Sequence, residues 1–248
     1  MFDRQNIYPS KILVTAAIAF TVSGPILFLP VLRAQNADLQ QRVADLKDSV
    51  AKNKQALAQY TWTETVTISL HGEVRKQERF QVHTGPDGKP QKTPLDSPAN
   101  AQDAAGRRGG RLRERVVEHK KEEFEEYAER MKLLVERYIP PNKDAIQDAY
   151  SKGNVSTTPS VGAANQVKLV IRNYVKEGDS MTLLLDKDKK ALTSIAIATY
   201  LDAPSDAINV TAQFAALPDG TRHVSAATLE ATSKQLNVAT QNSDYQKL

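Results

Sequence analysis

Apolar and polar residues alternate with a period of two along two neighbouring segments in the first third of the chain. In the first segment, Trp62, Val66 and Ile68 fall on one face, while threonine and serine fill the other face. Glu64 is the one residue that interrupts the apolar face. The second segment, 74–83, follows a short His-Gly-Glu connection and ends before a Gly-Pro-Asp-Gly turn. This pattern predicts an antiparallel two-stranded hairpin.

Six more strands are predicted in the last third of the chain. Short connections rich in Gly, Pro, Asp and Lys separate them. Parallel neighbours need a crossover of about a dozen residues or more, so connections this short require antiparallel pairing. The segment is therefore predicted to form a meander, with strands at 167–175, 180–186, 191–200, 207–216, 221–231 and 235–241.

Three segments have the apolar spacing of helices. From Leu39 to Tyr60 the spacing is 4-3-4-3, with Asn53 in the one polar position, and this predicts a long first helix. Residues 114–139 predict a highly charged second helix that Pro140 ends. Residues 142–152 predict a third helix with Asn142 as its N-cap.

The apolar stripe of the first helix fits two arrangements. It fits an amphipathic helix laid on the protein's own sheet, and it fits a short coiled coil in which Asn53 sets the register. The first arrangement is favoured, because about three heptads are barely enough to support self-association.

Taken together, the elements predict an α+β fold. Its centre is a curved antiparallel sheet, a half-open barrel, with a long N-terminal helix and a central helical insertion. Residues 35–248 are predicted to form a single domain, which is long enough to bury a sizeable core. Residues 96–113 are rich in small polar residues and arginine, and they predict a flexible basic loop within that domain.

The first 34 residues have the character of an export segment. Arg4 and Lys11 precede an uncharged run, 12–32, and the small Ala34 follows it as a candidate cleavage point. The run is longer than a usual signal core, and at ~1.5 Å per residue it would span a hydrocarbon layer of ~30 Å. A cleaved signal peptide and a retained inner-membrane anchor therefore both stay open. Either one predicts export to the periplasm or cell envelope.

Composition removes several kinds of chemistry. Cysteine is absent, which excludes disulfides, thiolate metal ligands and a cysteine nucleophile. The four histidines lie far apart in the sequence, and no glycine-rich phosphate loop follows a strand. The leader holds three basic residues and one acidic residue, so its removal would lower the net charge from +4 to +2. The chain is predicted to be a non-enzymatic protein without metal or cofactor.

An arginine cluster sits inside and just after the predicted loop. Guanidinium groups at this density fit the phosphates of lipid head groups at a membrane surface, although a solvated loop explains them equally simply. Nucleic acid is excluded as a predicted partner, because no aromatic residue stands between Phe80 and Phe124 to stack on bases. The candidate head-group-binding residues are Arg107, Arg108, Arg111 and Arg113.

The apolar side of the predicted sheet is the main candidate for a binding surface. If helices cover it completely, it is a filled core; if they cover it in part, it suits a hydrophobic ligand. Both outcomes stay open. The candidate ligand-binding residues on this side are Trp62, Val66, Ile68, Phe80, Ile171, Leu183, Ile195 and Phe214.

The order of elements resembles that of the periplasmic lipoprotein carriers of the LolA and LppX type. The resemblance implies a half-open barrel that holds acyl chains under helices, with a basic residue inside that helps to regulate release. Arg79 and Arg172 are strand arginines of the right type. Short segments are also similar to those of uncharacterised exported bacterial proteins, namely Tyr60–Glu64, Gln91–Pro94, Glu177–Ser180, Thr199–Asp202 and Leu217–Thr221.

Two functional hypotheses follow. The leading one is a cell-envelope protein that binds a hydrophobic or lipid-like ligand in a curved sheet. The alternative is a membrane-tethered structural or assembly protein that associates through the helix at 39–60. The sequence leaves the oligomeric state open.

Overall fold

The computed structural model describes residues 52–95, 111–159, 165–186, 188 and 191–248, with backbone only at 111–121, 143 and 159. The predicted leader, including the candidate anchor at 12–32, lies outside these residues. So do Arg107 and Arg108 and most of the predicted helix at 39–60. These parts of the interpretation stay predictions.

Ten antiparallel strands form a single curved sheet that does not close into a barrel. Their spatial order is β3-β2-β1-β10-β9-β8-β7-β6-β5-β4, so β3 and β4 are its edges. The predicted α+β class is confirmed. The strands are β1 Tyr60–Leu70, β2 Glu73–Thr84, β3 Pro90–Pro94, β4 Val155–Pro159, β5 Gln166–Arg172, β6 Ser180–Asp186, β7 Ala191–Tyr200, β8 Ala207–Ala216, β9 Arg222–Ala231 and β10 Leu236–Lys247.

Two helices lie between β3 and β4 in the chain: α1, Arg111–Glu136, and α2, Lys143–Ser151. The predicted N-cap of α2 is confirmed, since the Asn142 side chain accepts the backbone N–H of Asp144 at 2.8 Å and of Ala145 at 3.2 Å. Helix α1 begins at Arg111, so the last three residues of the predicted loop 96–113 are helical. Arginine and glutamate are good helix formers, which accounts for the earlier start.

One face of the sheet, here called the inner face, carries the hydrophobic core. Along β1 every even-numbered residue is buried, and the register continues this face through the neighbouring strands. Most buried apolar side chains of the inner face form one continuous cluster with those of α1, which contributes Tyr127, Ala128, Met131, Leu134 and Val135, and with Tyr138 just after α1.

Helix α1 is fixed to one end of the sheet, here called the turn end, where the connections 71–72, 173–179, 201–206 and 232–235 lie. The Tyr127 hydroxyl donates to Asp206 Oδ1 at 2.8 Å. The Tyr138 hydroxyl donates to Asp179 Oδ2 at 2.5 Å and is 2.8 Å from the Thr199 hydroxyl. Asp179 also accepts three backbone N–H groups of its own connection, from residues 174, 175 and 176. The C-terminal half of α1 and the residues just after it therefore cross the turn end between the β7–β8 and β5–β6 connections.

The sequence interpretation missed both edge strands. Strand β3 begins and ends with proline and has no apolar alternation, and β4 has a single large apolar residue, Val155. An edge strand pairs on one side only, which makes it tolerant of proline and weak in pattern. The predicted first helix is also too long, because Tyr60 belongs to β1 and faces the core.

Candidate ligand-binding site

All eight predicted ligand-binding residues lie on the inner face, where seven are buried and Phe214 is partly buried. Ile171, Leu183 and Ile195 belong to the same cluster as the helix side chains and are fully covered. In this region the inner face is a filled core. The surroundings of Trp62 and Phe80 are different, because charged and aromatic side chains join the apolar ones there.

A buried ion pair occupies the inner face near the start of β1. Glu64 lies opposite Phe80 of β2, and Lys92 of β3 lies opposite Val82. The Lys92 Nζ reaches across β2 and donates to Glu64 Oε1, and the two side chains are only 17% and 7% exposed. The same ammonium lies 5.9 Å from the centre of the Phe80 ring, within cation–π range. The polar interruption at Glu64 was therefore a signal of this pair, but its partner stands on a strand that the pattern did not reveal.

Trp62 stacks on a tyrosine that a β-bulge brings to the inner face. The β1–β10 register shifts between Thr61 and Thr63, and opposite this point Asp244 has a left-handed φ of 54°. The shift turns Tyr245 inward, so that its ring stacks on Trp62 with centroids 5.6 Å apart and an interplanar angle of 17°. Burial, followed by the nearby charge of Glu64, raises the pKa of the Tyr245 hydroxyl. We call Trp62, Glu64, Lys92, Asn242 and Tyr245 the β1 cluster.

A second ion pair continues the charged strip along β2. Lys76 and Glu78 lie opposite Ile68 and Val66, so both face inward. The Lys76 Nζ is 2.8 Å from Glu78 Oε1, and each side chain is about a quarter exposed, at 24% and 26%. Two lysines and two glutamates thus stand on the inner face of the first three strands, and their formal charges cancel.

Three buried side-chain atoms of the described residues have no hydrogen-bond partner, and all three belong to this region. They are Trp62 Nε1, Asn242 Oδ1 and Glu78 Oε2. Asn242 is directly opposite Glu64 on β10. A buried polar group without a partner destabilises the fold by about 1–3 kcal/mol, so such groups rarely persist without a role.

Asn53 attaches the helical segment 52–57 to the start of β9, beside the β1 cluster. The Asn53 amide donates to the Arg222 carbonyl at 3.1 Å and accepts the Arg222 backbone N–H at 2.8 Å. The Asn53 side chain is thus engaged by the protein's own β9, and because residues 39–51 lie outside the described residues, the coiled-coil interpretation of the helix stays a prediction. The Tyr60 hydroxyl donates to Asp219 Oδ2 at 2.7 Å, which ties the start of β1 to the β8–β9 turn.

The two strand arginines that the resemblance suggested are not brought to this site. Arg79 and Arg172 are exposed, and each follows the outward alternation of its strand. The inner-face basic residues are Lys76 and Lys92 instead. Arg111 and Arg113 belong to α1, and their side chains, like Arg107 and Arg108, lie outside the description.

His223 packs against the ring of Tyr245 with centroids 4.1 Å apart. Burial lowers its pKa, partly offset by a contact of Nδ1 with the Val224 carbonyl at 3.1 Å. Because the unfolded chain then binds the proton more readily, this histidine stabilises the fold fully above the unfolded pKa of about 6.5 and loses that contribution as pH falls through its lower folded pKa. We expect the unfolding free energy of His223→Phe to fall less between pH 7.5 and 5 than that of the wild type. If the unfolding free energies of the two proteins, measured by urea titration, fall equally between pH 7.5 and 5, His223 is not a source of the pH dependence.

Among the described residues, no three His, Cys, Asp or Glu side chains are grouped closely enough to hold a metal ion. Over the same residues, no helix combines the length and the apolar character needed to cross a membrane.

Comparison with known proteins gives two distant structural likenesses. No protein-family model and no curated protein matches the chain. A DUF1329 family protein from Desulfovibrio piger is similar at 14% identity and a TM-score of 0.36, over 79% of this chain and 92% of that one. A LolA superfamily protein from Nitrosomonas europaea is similar at 8% identity and a TM-score of 0.32, over 80% of this chain and 93% of that one. One of these two proteins is from the superfamily that the element order resembles, but TM-scores of 0.36 and 0.32 are too low to assign this chain a fold family or a function.

Proposed function

We propose that this protein is a non-enzymatic cell-envelope protein that binds a hydrophobic or lipid-like ligand at the β1 cluster end of its inner face. The observation that supports this most is the composition of that end. Apolar and aromatic walls surround a few fixed polar groups, two of which, Trp62 Nε1 and Asn242 Oδ1, have no partner among the described residues. Ligand sites typically combine a mostly apolar lining with a small number of placed polar groups.

The attachment of α1 supports this position of the proposed site. The hydrogen bonds of Tyr127 in α1, and of Tyr138 just after it, lie at the turn end, at Asp206, Asp179 and Thr199. Along β1, Trp62 is eight residues from Leu70 at the turn end, or about 26 Å at ~3.3 Å per residue. The β1 cluster therefore lies at the opposite end of β1 from these contacts.

The charges of the cluster and its surroundings fit ligand binding without catalysis. Glu64 and Glu78 are each engaged by a lysine, so neither stands ready as a general base. The ion pairs instead offer polar groups to a ligand without a net charge. A membrane surface is a further proposed contact, through the arginines at 107–113, and the export segment at 12–32 would place the protein in the envelope as a free or anchored form.

Enlarging a side chain next to the cluster is expected to obstruct binding. Val82 is fully buried, and it lies opposite Trp62 on β1 and opposite Lys92 on β3. Val82→Phe should therefore weaken the uptake of a fluorescent fatty acid about tenfold. Val74→Phe is the matched control, because it makes the same change on the same strand at a position that is 65% exposed. Equal uptake by the two variants would place the ligand elsewhere.

The proposal as a whole is tested on protein from its own envelope. Native mass spectrometry followed by lipid extraction should find a co-purified apolar molecule that Val82→Phe reduces and Val74→Phe does not. A protein that carries no such molecule, and that also fails to take up fluorescent fatty acids, would overturn the proposal.

A further inference from the structure

The two unpartnered atoms of the β1 cluster are complementary in kind. The Trp62 Nε1 is only a donor, and the Asn242 Oδ1 is only an acceptor. The orientation of the Asn242 amide is fixed, because its Nδ2 donates to the Val224 carbonyl at 3.0 Å. If Oδ1 and Nδ2 of Asn242 were exchanged, the amide oxygen would face the Val224 carbonyl oxygen. The site therefore offers one free donor and one free acceptor.

The register brings these two side chains side by side. Asn242 lies directly opposite Glu64, and Trp62 stands two residues before Glu64 on the same face. Trp62 and Asn242 are therefore diagonal neighbours across the β1–β10 pair, next to the register shift at Trp62. Aromatic and long side chains reach one another from diagonal positions, so one small group that accepts a hydrogen bond at one atom and donates one at the next is the simplest partner for both.

The charges around this gap do not favour an ionised head group. Lys92 and Lys76 are balanced by Glu64 and Glu78, and both pairs are formed. A carboxylate or an ester supplies an acceptor for Trp62 but no donor for Asn242, so one buried atom would stay unpartnered. A carboxamide supplies both.

We propose that the β1 cluster selects a hydrophobic ligand whose polar group is neutral and both accepts and donates a hydrogen bond, of which a carboxamide is the simplest form. The acceptor oxygen of this group bonds to Trp62 Nε1–H, and its N–H bonds to Asn242 Oδ1. The inference rests on the proposed function, because it names the ligand class for the same site.

The test compares three ligands of equal chain length. Isothermal titration of the whole, delipidated protein should show that dodecanamide binds at least about tenfold more tightly than methyl dodecanoate or dodecanoate. The Trp62→Phe variant keeps a ring to stack on Tyr245 but loses the donor, and Asn242→Leu loses the acceptor. Asn242→Leu should reduce the preference for the amide over the methyl ester to about threefold or less, because only the amide donates to Asn242. Trp62→Phe should weaken the binding of the amide and of the methyl ester alike, because both accept a hydrogen bond from Trp62 Nε1–H.

Two other results would overturn the inference, and they are distinguishable. If all three ligands bind with equal affinity, the selection for an amide is wrong while the hydrophobic site stands. If none of the three binds to a correctly folded protein, the proposed function fails as well. A preference for the amide over the methyl ester that survives in Asn242→Leu would assign the selection to other residues.

Discussion

Replacing Asp179 with alanine is expected to lower the free energy of unfolding by about 3–4 kcal/mol, because one buried carboxylate saturates several donors at once. Its Oδ1 accepts the Tyr174 N–H at 2.6 Å, and its Oδ2 accepts the N–H groups of Val175 and Lys176 at 3.0 and 2.9 Å. The Tyr138 hydroxyl donates to the same oxygen. Alanine leaves the three backbone donors without partners and releases the end of α1 from the sheet.

The measurement is urea-induced unfolding followed by the fluorescence of Trp62, which is the one tryptophan of the chain. Asp148→Ala is the control, because Asp148 is an aspartate in an exposed ion pair, with its side chain 59% exposed, and the change should alter stability by less than about 0.5 kcal/mol. Tyr138→Phe should fall between the two, at about 1–2 kcal/mol, since it removes one of the four donors. A loss below about 1 kcal/mol for Asp179→Ala would show that the connection does not depend on its carboxylate.

Replacing Lys92 with methionine is expected to destabilise the protein by about 3 kcal/mol, because it leaves the buried Glu64 carboxylate without its cation. Methionine retains most of the aliphatic length of lysine, so packing against Phe80 is largely kept. Replacing both partners, as Glu64→Leu with Lys92→Met, should restore most of the lost stability, since a buried pair exchanged for apolar residues is often neutral or stabilising.

The double-mutant cycle gives the coupling between the two sites directly. Lys152→Met is the matched control: the Lys152–Asp148 pair has side chains that are 63% and 59% exposed, so breaking it should change stability by less than about 0.5 kcal/mol. Additive effects of the Glu64 and Lys92 changes would mean that the two side chains are not coupled. The same double variant also tests binding, since an apolar replacement removes the charges next to the proposed polar subsite.

The β1 cluster and the hydrogen bonds around Asp179 differ in how completely their polar groups are paired. At the turn end, polar side chains are saturated by one another and by backbone groups, which holds α1 in place. At the β1 cluster end, the ion pairs are formed but a donor and an acceptor are left over. The first arrangement stabilises the fold and the second destabilises it, which is the relation expected between a scaffold and the proposed binding site.

The meander shows which strands the local sequence pattern predicts correctly. Three strands, at 180–186, 191–200 and 207–216, match their predicted bounds to the residue. Most of each strand alternates between buried and more exposed residues, and each ends at a turn-forming sequence, so most of the information that defines it is local. The edge strands β3 and β4 lack this alternation, because half of their hydrogen-bonding groups have no neighbouring strand and few of their side chains face the core.

The residues of the candidate site also fall into a group that the sequence pattern predicted and a group that it missed. The sequence placed Trp62 and Phe80 on the inner face and marked Glu64 as its polar interruption, because period two alone assigns a residue to a face. It missed Lys92, Asn242 and Tyr245. Lys92 stands on an unpredicted edge strand, and the other two reach the cluster through β10, which extends six residues beyond its predicted end.

By itself, the sequence determined the class of the fold, the antiparallel order of the meander and the identity of its buried face. Those features depend on side-chain alternation and short connections, which are properties of neighbouring residues. Only the tertiary structure decided which polar groups meet on that face. The Glu64–Lys92 pair and the Trp62–Tyr245 stack join distant parts of the chain, and both depend on strand register and on a bulge at Asp244. A shift of one residue in either register would turn these side chains to the opposite face.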